Sequence, residues 1–328
     1  MSLDTRLTEF FGIQHPIVLA PMAMISGGRL AAAVTSAGGL GLIGGGYGDA
    51  EWLRREFDRA DGANVGCGFI TWSLARQPEL LDEALARRPA AIMLSFGDLQ
   101  PFADRIRAAG VPLIAQAQKL DHARRALDAG ADVVVAQGGE AGGHGMTVRS
   151  TFTLVPDGVD LVADRAPDTL VLAAGGVTDG RGLAAALVLG ADGVLVGTRF
   201  WASPEALVSP RAHERALAAG GDDTVRTRAY DLVRRLDWPA GYNARALGNA
   251  FLDTWHGNED RLAASLPEAV EDYEKAVAAE DFDSAAILVG EGVGLVRRVR
   301  PAADIVADMV ERAGRILNRT TGPGSVQR

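Results

Sequence analysis

Cysteine is nearly absent from this sequence, since Cys67 is the only one among its 328 residues. A single cysteine excludes an internal disulfide and a cysteine-rich metal site. No pair of histidines has the spacing of a zinc motif such as HExxH, so we expect no metal centre. Cys67 lies between two glycines in a predicted strand, with nothing basic beside it that would activate the thiol. It is therefore interpreted as a buried apolar residue.

Clusters of basic residues and long apolar runs are also missing. The 33 lysines and arginines are scattered among 42 acidic residues, giving a formal net charge of −9, which argues against a nucleic-acid or anionic membrane surface. No uncharged apolar run reaches the roughly 18 residues that would cross a bilayer. Charged residues within Met1–Glu9 leave no apolar core for a signal peptide. We expect a cytoplasmic protein without a nucleic-acid or membrane partner.

Glycine, in contrast, is abundant, with 40 residues, and is densest in the stretch DVVVAQGGEAGGHG at Asp132–Gly145. The apolar run Val133–Ala136 predicts a strand buried on both faces. The glycines that follow surround Glu140 and His144. Loops at the carboxyl ends of parallel strands carry the chemistry of α/β folds, and glycine lets backbone amides approach a ligand. His144 is therefore the first candidate for a catalytic group, whereas Glu140 is expected to orient the loop or to be solvated.

Short aliphatic runs alternate with amphipathic or alanine-rich segments along the first 200 residues. The eight runs are Ile17–Ala20, Leu40–Gly44, Asn64–Phe69, Ala90–Leu94, Pro112–Gln116, Asp132–Ala136, Leu170–Ala174 and Gly193–Gly197. Glycine ends several of the helical segments just before the next strand. This alternation is typical of the α/β class and predicts a compact TIM (β/α)8 barrel over residues 1–200.

The alternation stops after Phe200. Residues 201–319 are predicted to form a helical cap, or substrate lid, that packs on the barrel and completes one domain. Helices are expected at Glu205–Ala219, Glu268–Glu280, Asp283–Val289 and Ala302–Leu317. Residues 220–260 show no apolar periodicity. Residues 320–328 are predicted to be a disordered tail. The glycine-rich segment Gly290–Gly294 is interpreted either as a mobile lid or as a turn between helices.

Two glycine-rich turns follow the last two predicted strands, at Gly175–Gly182 and Gly197–Phe200. Backbone amides at these positions form the common phosphate site of such barrels, and the Thr198 hydroxyl could add a donor. The alternative is that the glycines only make tight turns. A GxGxxG match at Gly39–Gly44 is rejected as a dinucleotide motif because a helix precedes it and none follows it directly.

A few other residues remain candidates on weaker grounds. Pro21 fixes the turn after the first strand and presents Met22 to the barrel mouth, although a methionine here could equally fill the core. Trp72, Tyr242 and Asn243 are interpreted as walls of a pocket or as structural residues. Among the other histidines, only His256 in the cap is a second catalytic candidate.

Four stretches together resemble the nitronate monooxygenase family, formerly called 2-nitropropane dioxygenases. They are PIVLAPMA at Pro16–Ala23, QGGEAGGHG at Gln137–Gly145, AAGGVTDGRG at Ala173–Gly182 and LGADGVLVGTRF at Leu189–Phe200. The resemblance spans nearly all of the chain. Flavin-dependent enoyl-acyl-carrier-protein reductases share the barrel and most of these motifs, so the family is indicated more strongly than the reaction.

The resemblance implies non-covalent FMN at the carboxyl end of the barrel, with His144 as the catalytic histidine near the reactive flavin edge. Pro21 and Met22 would lie beside the isoalloxazine, and Gly175, Gly176, Gly197 and Thr198 would hold the phosphate. Gly68 and Gln116 stand where some members have an asparagine and a lysine. The implied cofactor-binding set is Pro21, Met22, Gly68, Gln116, Gln137, Gly142, Gly143, Gly175, Gly176, Gly197 and Thr198.

The implied reaction is oxidation of alkyl nitronates with dioxygen to a carbonyl compound and nitrite. His144 could act as a base on a neutral nitroalkane or as a cation that stabilises negative charge. One alternative is an NAD(P)H-dependent flavin reductase that acts on an enoyl thioester or a quinone. Another is a binding barrel without turnover, against which the intact His144 loop argues. The physiological substrate, nicotinamide use and oligomeric state stay open, with a homodimer as one candidate.

Overall fold

A computed structural model describes residues 3–321, and its centre is a ring of parallel strands. In chain order the strands are β1 (Ile17–Leu19), β2 (Leu42–Gly44), β3 (Gly66–Ile70), β4 (Ile92–Ser95), β5 (Leu113–Ala117), β6 (Val133–Gln137), β7 (Gly143–Gly145), β8 (Leu170–Ala174), β9 (Gly193–Val196), β10 (Thr224–Thr227) and β11 (Asn243–Leu247). All except β7, β10 and β11 belong to one eight-stranded parallel sheet.

The parallel sheet closes on itself. Its strand order is β1-β9-β8-β6-β5-β4-β3-β2, and a parallel bridge between Val18 and Leu40 joins its two ends. The Leu19 amide donates to the Leu40 carbonyl, and the Leu40 amide donates to the Ile17 carbonyl, both at 2.9 Å. The predicted TIM barrel is thus confirmed, with strand bounds that differ from the predicted ones by one or two residues at most ends.

Side chains of the barrel strands alternate between two apolar layers. Val18, Ile114 and Leu172 belong to the cluster inside the barrel. Ile17 and Leu19, on either side of Val18, belong to the layer between the strands and the surrounding helices. Because both faces of each strand are covered, the strands are continuous apolar runs without polar alternation. This double burial explains why the runs were recognisable from the sequence.

Helices surround the barrel and build most of the remaining chain. They are α1 (Arg6–Phe11), α2 (Gly28–Ser36), α3 (Ala50–Arg59), α4 (Thr71–Leu74), α5 (Glu79–Ala86), α6 (Gln100–Ala108), α7 (Leu120–Asp128), α8 (Thr151–Arg165), α9 (Gly180–Val188), α10 (Thr198–Trp201), α11 (Pro210–Leu217), α12 (Ala229–Val233), α13 (Ala250–Trp255), α14 (Glu259–Ala264), α15 (Leu266–Ala278) and α16 (Ala302–Thr321). No helix of the described chain is both long enough and apolar enough to span a bilayer.

The last helix, α16, packs against α9 and α2 and so completes the outer ring of the barrel. The cap proper is therefore the segment between α10 and α16. The helix predicted at Asp283–Val289 is absent, and this segment is irregular. Of the predicted tail, residues 322–328 lie outside the described residues, whereas residues 320 and 321 end α16.

The cap also contains strands that the sequence did not indicate. β10 and β11 pair antiparallel, and β11 pairs on its other side with β7, so that Ala244 lies opposite His144. His144 therefore lies in a short strand and not in the free loop expected from its glycine neighbours. The cap strands are short and carry Arg226 and Arg245 at partly buried positions, which hides an alternating apolar pattern. This sheet joins the barrel to the cap.

Candidate active site

A cavity with a volume of about 200 Å³ opens at the carboxyl ends of the barrel strands, beneath the cap. All of the predicted site residues except Gly68 line it. These are Pro21, Met22, Gln116, Gln137, Gly142, Gly143, His144, Gly175, Gly176, Gly197 and Thr198.

Gly68 lies behind Pro21. It does not line the cavity, because the Pro21 ring covers it: a Cβ on Gly68 would lie 2.3 Å from the Pro21 Cγ. The missing side chain thus allows the proline to pack down on β3. Gly68 supports a cavity wall, and its contact with the cofactor stays a prediction.

The turns after β8 and β9 present free hydrogen-bond donors to the cavity. Gly175 and Gly176 have φ values of 102° and 72°, in the left-handed region that favours glycine. Within residues 3–321, the amides of Gly175, Gly176, Gly197 and Thr198 have no acceptor. The Thr198 hydroxyl accepts the Gly290 N–H at 2.9 Å, which leaves its own proton for another acceptor. Successive free amides of this kind suit an anionic group such as a phosphate.

The glycine-rich segment between β6 and β7 is held by charged side chains. Arg226 donates to the carbonyls of Gly139 and Ala141 at 3.1 Å, and Arg245 donates to Gly139 at 3.0 Å. Glu140 accepts from the Thr151 amide and hydroxyl, each at 3.0 Å. The predicted orienting role of Glu140 is confirmed. Burial and the neighbouring Arg245 lower the pKa of Arg226 to about 10, so it stays charged at neutral pH.

His144 makes a buried hydrogen bond that the sequence did not reveal. Its Nε2 lies 2.8 Å from Oδ1 of Asp231 in α12, and both side chains are almost fully buried. A carboxylate only accepts, so Nε2 carries the proton. The other ring nitrogen, Nδ1, has no partner in the described chain, and the ring lines the cavity. His144 therefore offers a lone pair to whatever binds there.

Burial decides the charge of His144. Desolvation lowers its pKa below the ordinary value of 6.5, the hydrogen bond and charge of Asp231 oppose this, and the charges of Arg234 and Arg226 lower it further. The pKa decreases on balance, so the imidazole is neutral at neutral pH. A neutral ring with a carboxylate behind it can accept a proton, because Asp231 stabilises the imidazolium that results.

An aromatic wall borders the histidine. The Trp238 ring stacks on His144, with ring centroids 3.5 Å apart and planes 6° apart, and it packs edge-on against Phe96 at 5.1 Å. Trp238, Phe96 and Tyr47 line the cavity. Trp72 lies behind Trp238 at 5.4 Å, and Tyr242 packs against Phe96 at 5.5 Å. Neither Trp72 nor Tyr242 lines the cavity, so each packs behind the aromatic residues that do.

The remaining candidates are placed as follows. Asn243 binds Arg226 through its side-chain oxygen at 3.0 Å and does not line the cavity. His256 faces Glu259 on an exposed part of the cap. Cys67 is fully buried, and burial raises the pKa of its thiol, which confirms the apolar interpretation. The segment after Gly290 forms a 3-10 turn, Glu291–Leu295, that is bonded to the barrel loops.

Asp231 and Trp238 are among the site residues that sequence reasoning missed. Asp231 lies 87 positions from His144 in a segment without a motif, so no local signal pointed to it. Trp238 is one of several aromatic residues in the aperiodic part of the cap, where no motif distinguishes it.

Replacing Asp231 by Asn should lower the pKa of His144 further, because the carboxylate is the contribution that raises it. NMR titration of the protein with labelled histidine side chains measures this directly. The exposed carboxylate of Asp237, which pairs with Arg76 at 3.3 Å, provides the control variant Asp237→Asn. An unchanged or raised His144 pKa in Asp231→Asn would show that the carboxylate does not act on the ring.

Known proteins match this chain over most of its length. The sequence model of the family described as "Nitronate monooxygenase" matches residues 4–84 and 78–312. A nitronate monooxygenase of Neurospora crassa is 31% identical over 94% of this chain and 92% of its own. The structure of FabK from Thermotoga maritima has a TM-score of 0.84 and 30% identity, covering 97% of this chain and 99% of that one. Nitroalkane oxidase from Streptomyces ansochromogenes has a TM-score of 0.77 and 27% identity over 97% and 100%.

The family model covers residues 4–312, which include every residue of the candidate site, and the Neurospora relative covers 94% of this chain. The protein is therefore an oxidoreductase, and the chain belongs to the nitronate monooxygenase family.

Proposed function

We propose that the protein is an FMN-dependent nitronate monooxygenase that oxidises alkyl nitronates with dioxygen to a carbonyl compound and nitrite. The observation that carries the proposal is one cavity with two features among the described residues: free amides suited to a phosphate, and a neutral His144 whose Nδ1 has no partner there. Membership of the family supports the reaction type. The nitroalkane oxidase match supports the substrate class.

The residues present fit FMN. Gly176 and Gly143 have left-handed backbone with open space beside them: a Cβ on Gly176 would meet only the Glu140 Cβ, at 3.8 Å, and one on Gly143 would meet nothing within 4 Å. The amides of Gly175, Gly176, Gly197 and Thr198 would hold the phosphate, and Pro21 and Met22 would border the ring system. When bound, FMN would supply the redox chemistry.

His144 and Asp231 would handle the proton. A neutral nitroalkane has an acidic α-carbon, and Nδ1 of His144 can accept that proton in the cavity. Asp231 accepts the Nε2 hydrogen bond and stabilises the positive charge that the ring gains. A nitronate has already lost the proton and needs no base. The aromatic wall of Tyr47, Phe96 and Trp238 keeps bulk water from the reacting carbon.

A second candidate is an NAD(P)H-dependent flavin reductase that acts on an enoyl thioester or a quinone. It is favoured by the high structural similarity to FabK, with a TM-score of 0.84. The two functions differ in what reduces the flavin. A monooxygenase takes electrons from the nitronate itself, whereas a reductase takes them from the nicotinamide.

Under argon, propyl-2-nitronate should bleach the flavin absorbance of the purified protein rapidly, and NADH or NADPH should do so slowly. Stopped-flow absorbance spectroscopy measures both rates in the same preparation. Rapid bleaching by a nicotinamide with no response to the nitronate would overturn the monooxygenase in favour of the reductase.

The cofactor assignment can be tested at Gly176. The variant Gly176→Val places side-chain bulk beside the amides proposed to bind the phosphate, so the purified protein should lose most of its FMN while remaining folded. Gly62→Val is the matched control, because Gly62 has a similar φ of 77° in an exposed turn and nothing within 4 Å. Heat release and chromatography identify the flavin, and circular dichroism monitors folding.

If Gly176→Val keeps a full complement of FMN, Gly176 only forms a turn and does not help to bind the phosphate. Equal loss of FMN in both variants would attribute the effect to backbone strain alone. Release of FAD in place of FMN from the unmodified protein would contradict the cofactor assignment.

A further inference from the structure

The cavity contains one cationic side chain that the proposed reaction has not yet used. Among residues 3–321, Arg234 is the only arginine or lysine that lines the cavity. It directly follows α12, one helical turn after Asp231, so the two side chains lie on the same side of the helix. α12 thus directs one charge to His144 and a second charge to the cavity.

Arg234 differs from Arg245 and Arg76 because no carboxylate in the described chain pairs with it. Arg245 pairs with Glu291 at 2.9 Å, and Arg76 pairs with Asp237 at 3.3 Å. Within the described chain, no carboxylate oxygen lies within 4 Å of the Arg234 guanidinium, which instead lies over the Tyr47 ring, 5.7 Å from its centroid. Burial raises the pKa of Tyr47, so the phenol stays neutral. The positive charge of Arg234 is therefore available to a ligand.

An anion that binds beside His144 needs the positive charge of Arg234, because the other groups described there are neutral or negative. His144 is neutral, and Gln116 is a neutral amide hydrogen-bonded to Gln137. Asp231 holds a buried negative charge directly behind the imidazole. Among the lining residues of the described chain, only Arg234 carries a positive charge that can offset it. A guanidinium is planar and can donate two parallel hydrogen bonds, which matches the two oxygens of a nitronate or a carboxylate.

We propose that Arg234 is the specificity-determining residue that binds the anionic NO2 group of a nitronate, so that the cavity prefers the anion over the neutral nitroalkane. This inference rests on the proposed function for the identity of the substrate. The binding of a planar anion at Arg234 can nevertheless be measured without turnover. Isobutyrate shares the charge and the heavy-atom connectivity of propyl-2-nitronate and is unreactive, and isobutyramide is its neutral counterpart.

Titration of tryptophan fluorescence in the purified holoprotein at neutral pH should report both ligands, because Trp238 lines the cavity. A hydrogen bond to a charged group contributes about 1.5–3 kcal/mol, which corresponds to about 10- to 100-fold in Kd. Arg234→Gln should therefore weaken isobutyrate binding by about tenfold or more and leave isobutyramide binding unchanged. The KM for propyl-2-nitronate should rise similarly, and the KM for 2-nitropropane should not.

Arg235→Gln is the matched control, since Arg235 is the exposed neighbour of Arg234 and loses the same charge. The inference is overturned if wild type does not bind isobutyrate, if Arg234→Gln weakens both ligands equally or neither, or if Arg235→Gln has the same effect. Failure of wild type to oxidise nitronate would overturn the proposed function alone. The isobutyrate titration would still decide the role of Arg234.

Discussion

The hydrogen bond between His144 and Asp231 is the interaction on which the active-site geometry depends. It connects the glycine-rich segment after β6 with α12 of the cap, and it fixes the proton on Nε2 so that Nδ1 faces the cavity. The arrangement costs desolvation free energy, because it buries the Asp231 carboxylate. The second oxygen of this group, Oδ2, has no hydrogen-bond partner in the described chain. That cost is typical of a site in which charge placement serves chemistry and not stability.

The same segment shows how a flexible sequence becomes a rigid site. Ordering a residue costs about 1–2 kcal/mol of conformational entropy, and glycine loses more than other residues. Arg226 and Arg245 offset this by binding the Gly139 carbonyl, and hydrogen bonds to charged groups contribute about 1.5–3 kcal/mol each. A Cβ on Gly142 would lie 2.4 Å from the Gly290 amide, so the cap can pack onto the segment only because this side chain is missing.

The barrel could be predicted from the sequence because its strands are buried on both faces and appear as unbroken apolar runs. The lining residues within the four motifs shared with a known family could be predicted from those motifs. The cap strands β10 and β11 could not, since their arginines are directed at backbone carbonyls and interrupt any apolar alternation. Asp231 and Arg234 could not either: one acidic and one basic residue among many carry no signal until the fold places them beside His144.

We propose that His144, held neutral by burial and oriented by Asp231, is the base that removes the α-proton of a neutral nitroalkane. The most direct measurement compares His144→Asn with wild type on 2-nitropropane and on propyl-2-nitronate, which differ only by that proton. We expect a loss of about 10²–10⁴-fold in kcat/KM for the nitroalkane, the usual size of proton-transfer catalysis, with nitronate oxidation largely retained. Comparable losses for both substrates would contradict it and would assign His144 to stabilising negative charge.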